Sequence, residues 1–295
     1  MFEPEPPARV PVPPLSGSPR GRWEEFARPE DVPLHSLVPL AGPGGEPLGA
    51  YRGVRREDTG QIISVVSTRY GLVGHRDVAR AVHRIGATLG PPAGPGPLEL
   101  PRESIRLYAG GRRMEVKLVV GRRFPLAAGD DLYPGIRVYN SLDGSWAVRF
   151  SGFALRLACC NQLCAERGDL LEWRELHLST GADLMARLEA VIHEFLGRFG
   201  SVLDLYRRAM GEELLAAEVA ARLEQEGMPG AHAQRIGARA EVAASHVALL
   251  SRWTAYQIAT AYLTREVSVN PDRERRFERS AARALLLPTP GSDPP

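Results

Sequence analysis

From Tyr51 onward the apolar positions follow two different periods. Gln61-Ile62-Ile63-Ser64-Val65-Val66-Ser67-Thr68 is dense in β-branched residues and predicts a strand, with Tyr51-Arg52-Gly53-Val54-Arg55-Arg56 as its partner across Asp58-Thr59-Gly60. Asp77 opens a short helix in which Val78, Ala81, Val82 and Ile85 share one face, and Gly90 ends it. Over residues 102–160 the period is two. Ser104–Tyr108 and Met114–Val120 alternate on either side of the Gly110-Gly111 turn. Gly135–Asn140 precedes the turn pair Asp143-Gly144. Trp146–Phe150 and Phe153–Cys159 then form one long strand, with Gly152 as an expected bulge. Beyond residue 181 the period lengthens to that of helices, expected at about 182–208, 212–226, 238–266 and 272–287. Val242, Val247, Leu250, Trp253, Ile258 and Tyr262 are the candidate core of the third.

Strands followed by a run of helices predict an α+β fold. The expected organisation has four parts. Residues 1–48 form an extended proline-rich N-terminal arm, and 49–180 an antiparallel β-meander with one short helix. Residues 181–287 form a C-terminal set of long α-helices, and 288–295 a frayed tail. The arm follows from 12 prolines in the first 50 residues, since proline removes backbone donors.

Composition narrows the class. The 295 residues are 44% hydrophobic, and no apolar run approaches the roughly 18 residues of a membrane span. Three cysteines do not make a disulfide scaffold. A reduced, cytoplasmic, soluble protein is expected. Net charge is +2, yet its distribution is uneven. Residues 100–156 hold nine arginines, Lys117 and five acids, for +5; residues 157–230 hold seven arginines and 13 acids, for −6. Lys117 is the one lysine against 36 arginines. Codon bias accounts for most of that preference, but the guanidinium fork is also suited to phosphate.

Catalytic patterns are missing. Cys159-Cys160-x-x-x-Cys164 lacks a second ligand pair for zinc, and His193-Glu194 lacks the second histidine of a zincin helix. There is no phosphate-binding GxxxxGK[ST] loop and no GxSxG elbow. No catalytic residue, metal or cofactor is therefore assigned. Asp130, Asp131 and Asp143 are the one carboxylate group that a magnesium-dependent nuclease could use; turn chemistry explains them more simply.

The basic sheet is the candidate site. Arg106, Arg112, Arg113, Lys117, Arg122, Arg123, Arg137, Arg149 and Arg156 are expected to neutralise phosphates, with Tyr108 and Trp146 as stacking surfaces for bases. The competing reading is a solvated face whose arginines pair with the acidic helices.

Two segments carry a family resemblance. Tyr139-Asn140-Ser141-Leu142-Asp143-Gly144-Ser145-Trp146-Ala147-Val148 resembles the nSxDGsxav segment of the phage/plasmid-like family catalogued as domain of unknown function 932. Leu155-Arg156-Leu157-Ala158-Cys159-Cys160-Asn161-Gln162-Leu163 is similar to its vRvvCxNtL segment, with Gln162 departing from the usual small residue. Residues 253–262 and Arg276-Phe277-Glu278 are similar to its C-terminal helices. The resemblance spans about 60–285 and implies an accessory protein of mobile-element DNA metabolism, with no catalytic site attached. Within it Asn161 is expected to contact a base or to cap a helix.

The leading expectation is a non-enzymatic, self-associating DNA-binding protein, acting on single-stranded DNA or annealing strands in recombination or replication. The alternatives are a protein-interaction adaptor or anti-host factor of a mobile element and, more weakly, a metal-dependent nuclease.

Overall fold

The computed structural model describes residues 23–43, 45–88, 103–121, 123–127, 130–156, 161–163, 172–175, 181–245, 247–267 and 271–287. The α+β expectation holds: the strands are antiparallel and the helices are mostly C-terminal. The expected bulk of the proline-rich arm (residues 1–22), the cysteine cluster (Cys159, Cys160, Cys164), Arg122 and the tail lie outside the described residues.

The main sheet is built from β1 (Trp23–Phe26), β5 (Glu103–Tyr108), β6 (Arg113–Val119), β8 (Asp130–Ser141), β9 (Val148–Arg156) and β10 (Asn161–Leu163), in that order. A short β7 (Phe124–Ala127) also pairs with β8, and β11 (Glu172–Glu175) with β9. Of the segment read as an arm, residues 23–26 are thus an edge strand of this sheet. Residues 35–41 form β2 (His35–Ala41), which joins β3 (Pro47–Arg56) and β4 (Ile62–Ser67) in a separate three-stranded sheet. Arg56 ties the two sheets together, bonding the Glu24 carboxylate at 2.6 and 2.7 Å and Asp58 at 2.8 and 3.0 Å.

One face of the main sheet is the apolar core. Ile105, Leu107, Met114, Val116, Leu118, Ile136, Val138 and Phe150 are all buried there. Helices α1 (His75–Thr88) and α2 (Gly181–Gly211) cover it. A Cβ on Gly86 of α1 would lie 3.0 Å from Leu118, and Phe195 of α2 meets Phe150 edge to face at 5.6 Å. Gly152 makes no bulge: β8 and β9 stay in register from Leu132↔Arg156 to Tyr139↔Arg149. A Cβ at Gly152 would sit 2.3 Å from the Phe195 ring, so glycine is there to let α2 close on the sheet.

Two helix predictions change. Residues 213–215 form β12 (Glu213–Leu215) and a 3-10 turn before α3 (Val219–Gln225). The long helix expected over 238–266 is α4 (Gly230–Ala244), β13 (Leu249–Ser251), α5 (Arg252–Tyr262) and a π-turn over Leu263–Val267. Ser245 and Ala248 adopt left-handed φ values of 51° and 58°, which ends the helix. Leu250 then pairs with Leu214, and the Ser251 hydroxyl accepts from Thr254 N at 3.1 Å to cap α5. Val242 and Val247, expected in the core, are 79% and 71% exposed: Val242 lies on α4 off the face that buries Ala233, Ile236, Ala240 and Ala244, and Val247 falls in the break after that helix. The final helix, α6 (Pro271–Leu285), matches its expectation. Arg252 holds its C-terminus, donating to the Leu285 carbonyl at 3.1 Å and to that of Leu287, while pairing with Glu212 at 2.7 Å.

Candidate nucleic-acid interface

Register places Arg106, Arg113, Lys117, Arg137 and Arg149 on the second face of the main sheet, in rows that cross the strands. One row reads Trp23, Tyr108, Arg113, Ser141; the next Glu25, Arg106, Glu115, Tyr139, Arg149, Arg174; the third Ser104, Lys117, Arg137, Ser151. In the second row Glu25, Arg106 and Glu115 alternate in sign, so part of this face neutralises itself. Arg106 pairs with Glu25 at 3.3 Å, and Lys117 with Glu115 at 3.6 Å. Burial disfavours the Glu115 carboxylate, but Lys117, Arg137 and Arg106 outweigh it, together with the Tyr108 hydroxyl donating at 3.1 Å. Its pKa ends below the usual carboxylate value.

Arg137 is a correction. Only 1% exposed, it forms two bonds with Glu278 of α6, at 2.8 and 3.1 Å, and lies over the Phe153 ring. It clamps the last helix to the sheet and has no surface to offer a phosphate. Trp146 is a second correction. It is 6% exposed, meets Tyr139 edge to face, and has the Arg113 guanidinium 4.9 Å from its ring centre. No face is left for a base. The half-buried Tyr108 is likewise engaged, with Trp23 at 6.2 Å and with Glu115.

The remaining predicted residues disperse. Arg112 is exposed and donates to the Ala109 carbonyl at 2.8 Å. Arg113 donates to Ser145 at 2.9 Å and lies 3.7 Å from Asp143. Arg123 pairs with Asp131 at 3.4 Å. Arg149 is half-buried. With no bulge, the seven-residue spacing gives Arg149 and Arg156 opposite register parity, and Arg156 pairs in the ladder with Asn161. The three aspartates do not gather either. Asp131 is the second residue of β8 and Asp143 lies two residues past its other end; the ten strand steps from Asp131 to Ser141, at about 3.3 Å each, put roughly 30 Å between the two ends.

The family-like segment around residue 140 has a structural explanation. Asn140, fully buried, donates to the Val73 carbonyl at 2.9 Å and bonds His75 at 3.0 Å. The buried Ser141 hydroxyl donates to Trp146 O and accepts from Trp146 N, closing the turn. Asp143 accepts from Ser145 N at 2.9 Å.

A different basic cluster stands in the helical region. His232, Arg235 and Arg239 are spaced by three and four along one face of α4. The Arg239 guanidinium lies 4.9 Å from the Tyr262 ring centre and pairs with Glu266 at 2.5 Å. Arg273 and Arg276, from the start of α6, both approach Phe277 at 5.3 Å, and Arg273 bonds His232 at 3.3 Å. Among the described residues Arg235, Arg273 and Arg276 are exposed and form no ion pair. The spacing was readable in the sequence, but a helix begun at 238 left His232 and Arg235 outside it.

Among the described residues no group of three or more His, Cys, Asp or Glu could hold a metal, and no helix is long and apolar enough to cross a membrane. No curated protein and no solved structure matches the chain. A family profile matches residues 62–285, and the chain belongs to the family described as domain of unknown function (DUF932).

Proposed function

We propose that the protein binds nucleic acid without catalysing a reaction, holding the sugar–phosphate backbone with the arginines of α4 and α6. The observation that carries this reading is the seam of exposed arginines in which Arg235, Arg273 and Arg276 have no acidic partner among the described residues. Unneutralised guanidinium groups side by side repel one another, and a polyphosphate relieves that repulsion while releasing counterions. The predicted stacking residues being engaged internally, contact is with the backbone rather than with bases. DNA of a mobile element, single-stranded in recombination or replication, is the proposed ligand, and a self-associated protein the proposed binding form.

The test is binding of labelled single- and double-stranded 20-nucleotide oligonucleotides at about 50 and 200 mM salt. Affinity should fall steeply with salt and fall again in Arg235→Glu/Arg273→Glu. No binding at the lower salt, or binding indifferent to salt, refutes it.

One observation favours the second reading, a protein-interaction adaptor. The three-stranded sheet turns Tyr51, Ile62 and Val65 outward, Val65 being 56% exposed. Loss of self-association in Val65→Asp, with oligonucleotide binding intact, would support that reading.

A further inference from the structure

The centre of the α4–α6 seam is a histidine whose protonation state the geometry determines. Arg273 can only donate, so His232 Nε2, 3.3 Å away, must accept. The ring proton then sits on Nδ1 and is donated to the Tyr262 hydroxyl at 2.8 Å. The charged and titratable groups around this ring can be named among the described residues. Arg235 lies one turn along α4, Tyr262 closes α5, and Arg273 comes from α6 beside the Phe277 ring, 5.1 Å from the imidazole. Glu266 of the π-turn is taken up by Arg239. Burial first, then the positive charges of Arg273 and Arg235, hold the imidazole below its ordinary pKa.

We propose that phosphate binding at this seam is coupled to proton uptake by His232, so that the site grips its ligand more tightly as pH falls. The inference rests on the nucleic-acid reading above. A phosphodiester placed among Arg235, Arg273 and Arg276 supplies the negative charge that the histidine lacks. On protonation Nε2 changes from acceptor to donor. Arg273 must then turn from the ring, and both groups present N–H bonds to the same phosphate oxygens. Phosphodiesters stay ionised throughout the relevant range, so the pH dependence belongs to the protein.

The experiment compares the wild-type chain with His232→Gln, using a labelled 20-nucleotide single strand at about 50 mM salt between pH 7.5 and pH 5.5. Each unit by which binding raises the histidine pKa allows up to about tenfold in affinity. The wild type should bind about threefold or more tightly at the lower pH, and the variant should change by less than about half as much. The His232 ring resonance, followed by NMR, should titrate at higher pH with the oligonucleotide than without it. Equal pH dependence in both chains, or a resonance unmoved by the ligand, overturns the coupling while leaving the function in place. Absence of binding by either chain at every pH overturns the function, and the coupling with it.

Discussion

Arg137 and Glu278 offer the sharpest test of how the fold is held together. They are 141 residues apart in sequence, on β8 and α6, with side chains 1% and 3% exposed. Two bonds of 2.8 and 3.1 Å join them. Arg137→Met keeps the length of the side chain but leaves the Glu278 carboxylate in a site from which water is excluded. Losing one partner of such a pair costs about 3–5 kcal/mol, because the remaining charge loses the counter-charge bonded to it while staying out of water. At a urea dependence of about 3 kcal/mol/M, the unfolding midpoint should fall by more than about 1 M. Glu278→Leu alone should cost a similar amount. The double variant Arg137→Met/Glu278→Leu removes both charges and should recover most of the loss, since an apolar pair of similar volume needs no desolvated ions. Equilibrium urea unfolding followed by tryptophan fluorescence measures all three. A loss below about 1 kcal/mol in either single variant, or a double variant as unstable as the worse single, would refute the argument that separating this buried ion pair dominates the cost.

Other consequences are open to measurement. Gly152→Ala forces a Cβ to within 2.3 Å of the Phe195 ring; it should destabilise by about 1–3 kcal/mol, and thermal melting of the variant checks this. Asn140→Ala strands the Val73 carbonyl and His75 in the interior; a loss of about 1–3 kcal/mol is expected by urea unfolding. His35 is held neutral, its pKa pushed down to about 4 by burial first and by Arg56 next, and neither ring nitrogen has a hydrogen-bond partner among the described residues. The unfolded chain takes up this proton below about pH 6.5 and the folded chain only near 4, so His35 removes stability as pH falls through that window. His35→Phe should therefore gain in melting temperature relative to wild type between pH 7 and pH 4.5, and a constant difference would contradict the reasoning. In the seam, the proposed backbone contact predicts that Arg276→Ala weakens binding of different oligonucleotide sequences about equally and lowers the salt slope by about one.

How much was legible in the sequence depended on the range of the interaction. The β3–β4 hairpin, the β5–β6 turn at Gly110-Gly111 and the amphipathic stretch of α2 are local patterns, and they stand close to where periodicity put them. The break between α4 and α5 was not legible. Leu249 and Leu250 fit a helical period as well as a strand, and their ladder partners Leu215 and Leu214 lie about 35 residues earlier. Trp146 was equally ambiguous, because an aromatic ring after a turn can face either water or the sheet; Tyr139 and Arg113 decide it.

The charge pattern shows the same division. The sequence by itself determined the α+β class, the family and the concentration of arginine in the strands. Alternation along a strand puts side chains on one face whatever lies beyond it. Whether those arginines are free depends on which acids the ladder and the helices bring opposite them, and only the tertiary structure decides that. Glu25, Glu115 and Glu278 come from an edge strand, an inner strand and the last helix, and they neutralise the sheet from three directions. The arginines without an acidic partner among the described residues arise instead where α4 and α6 meet, from residues nearly 40 apart whose proximity no local period encodes.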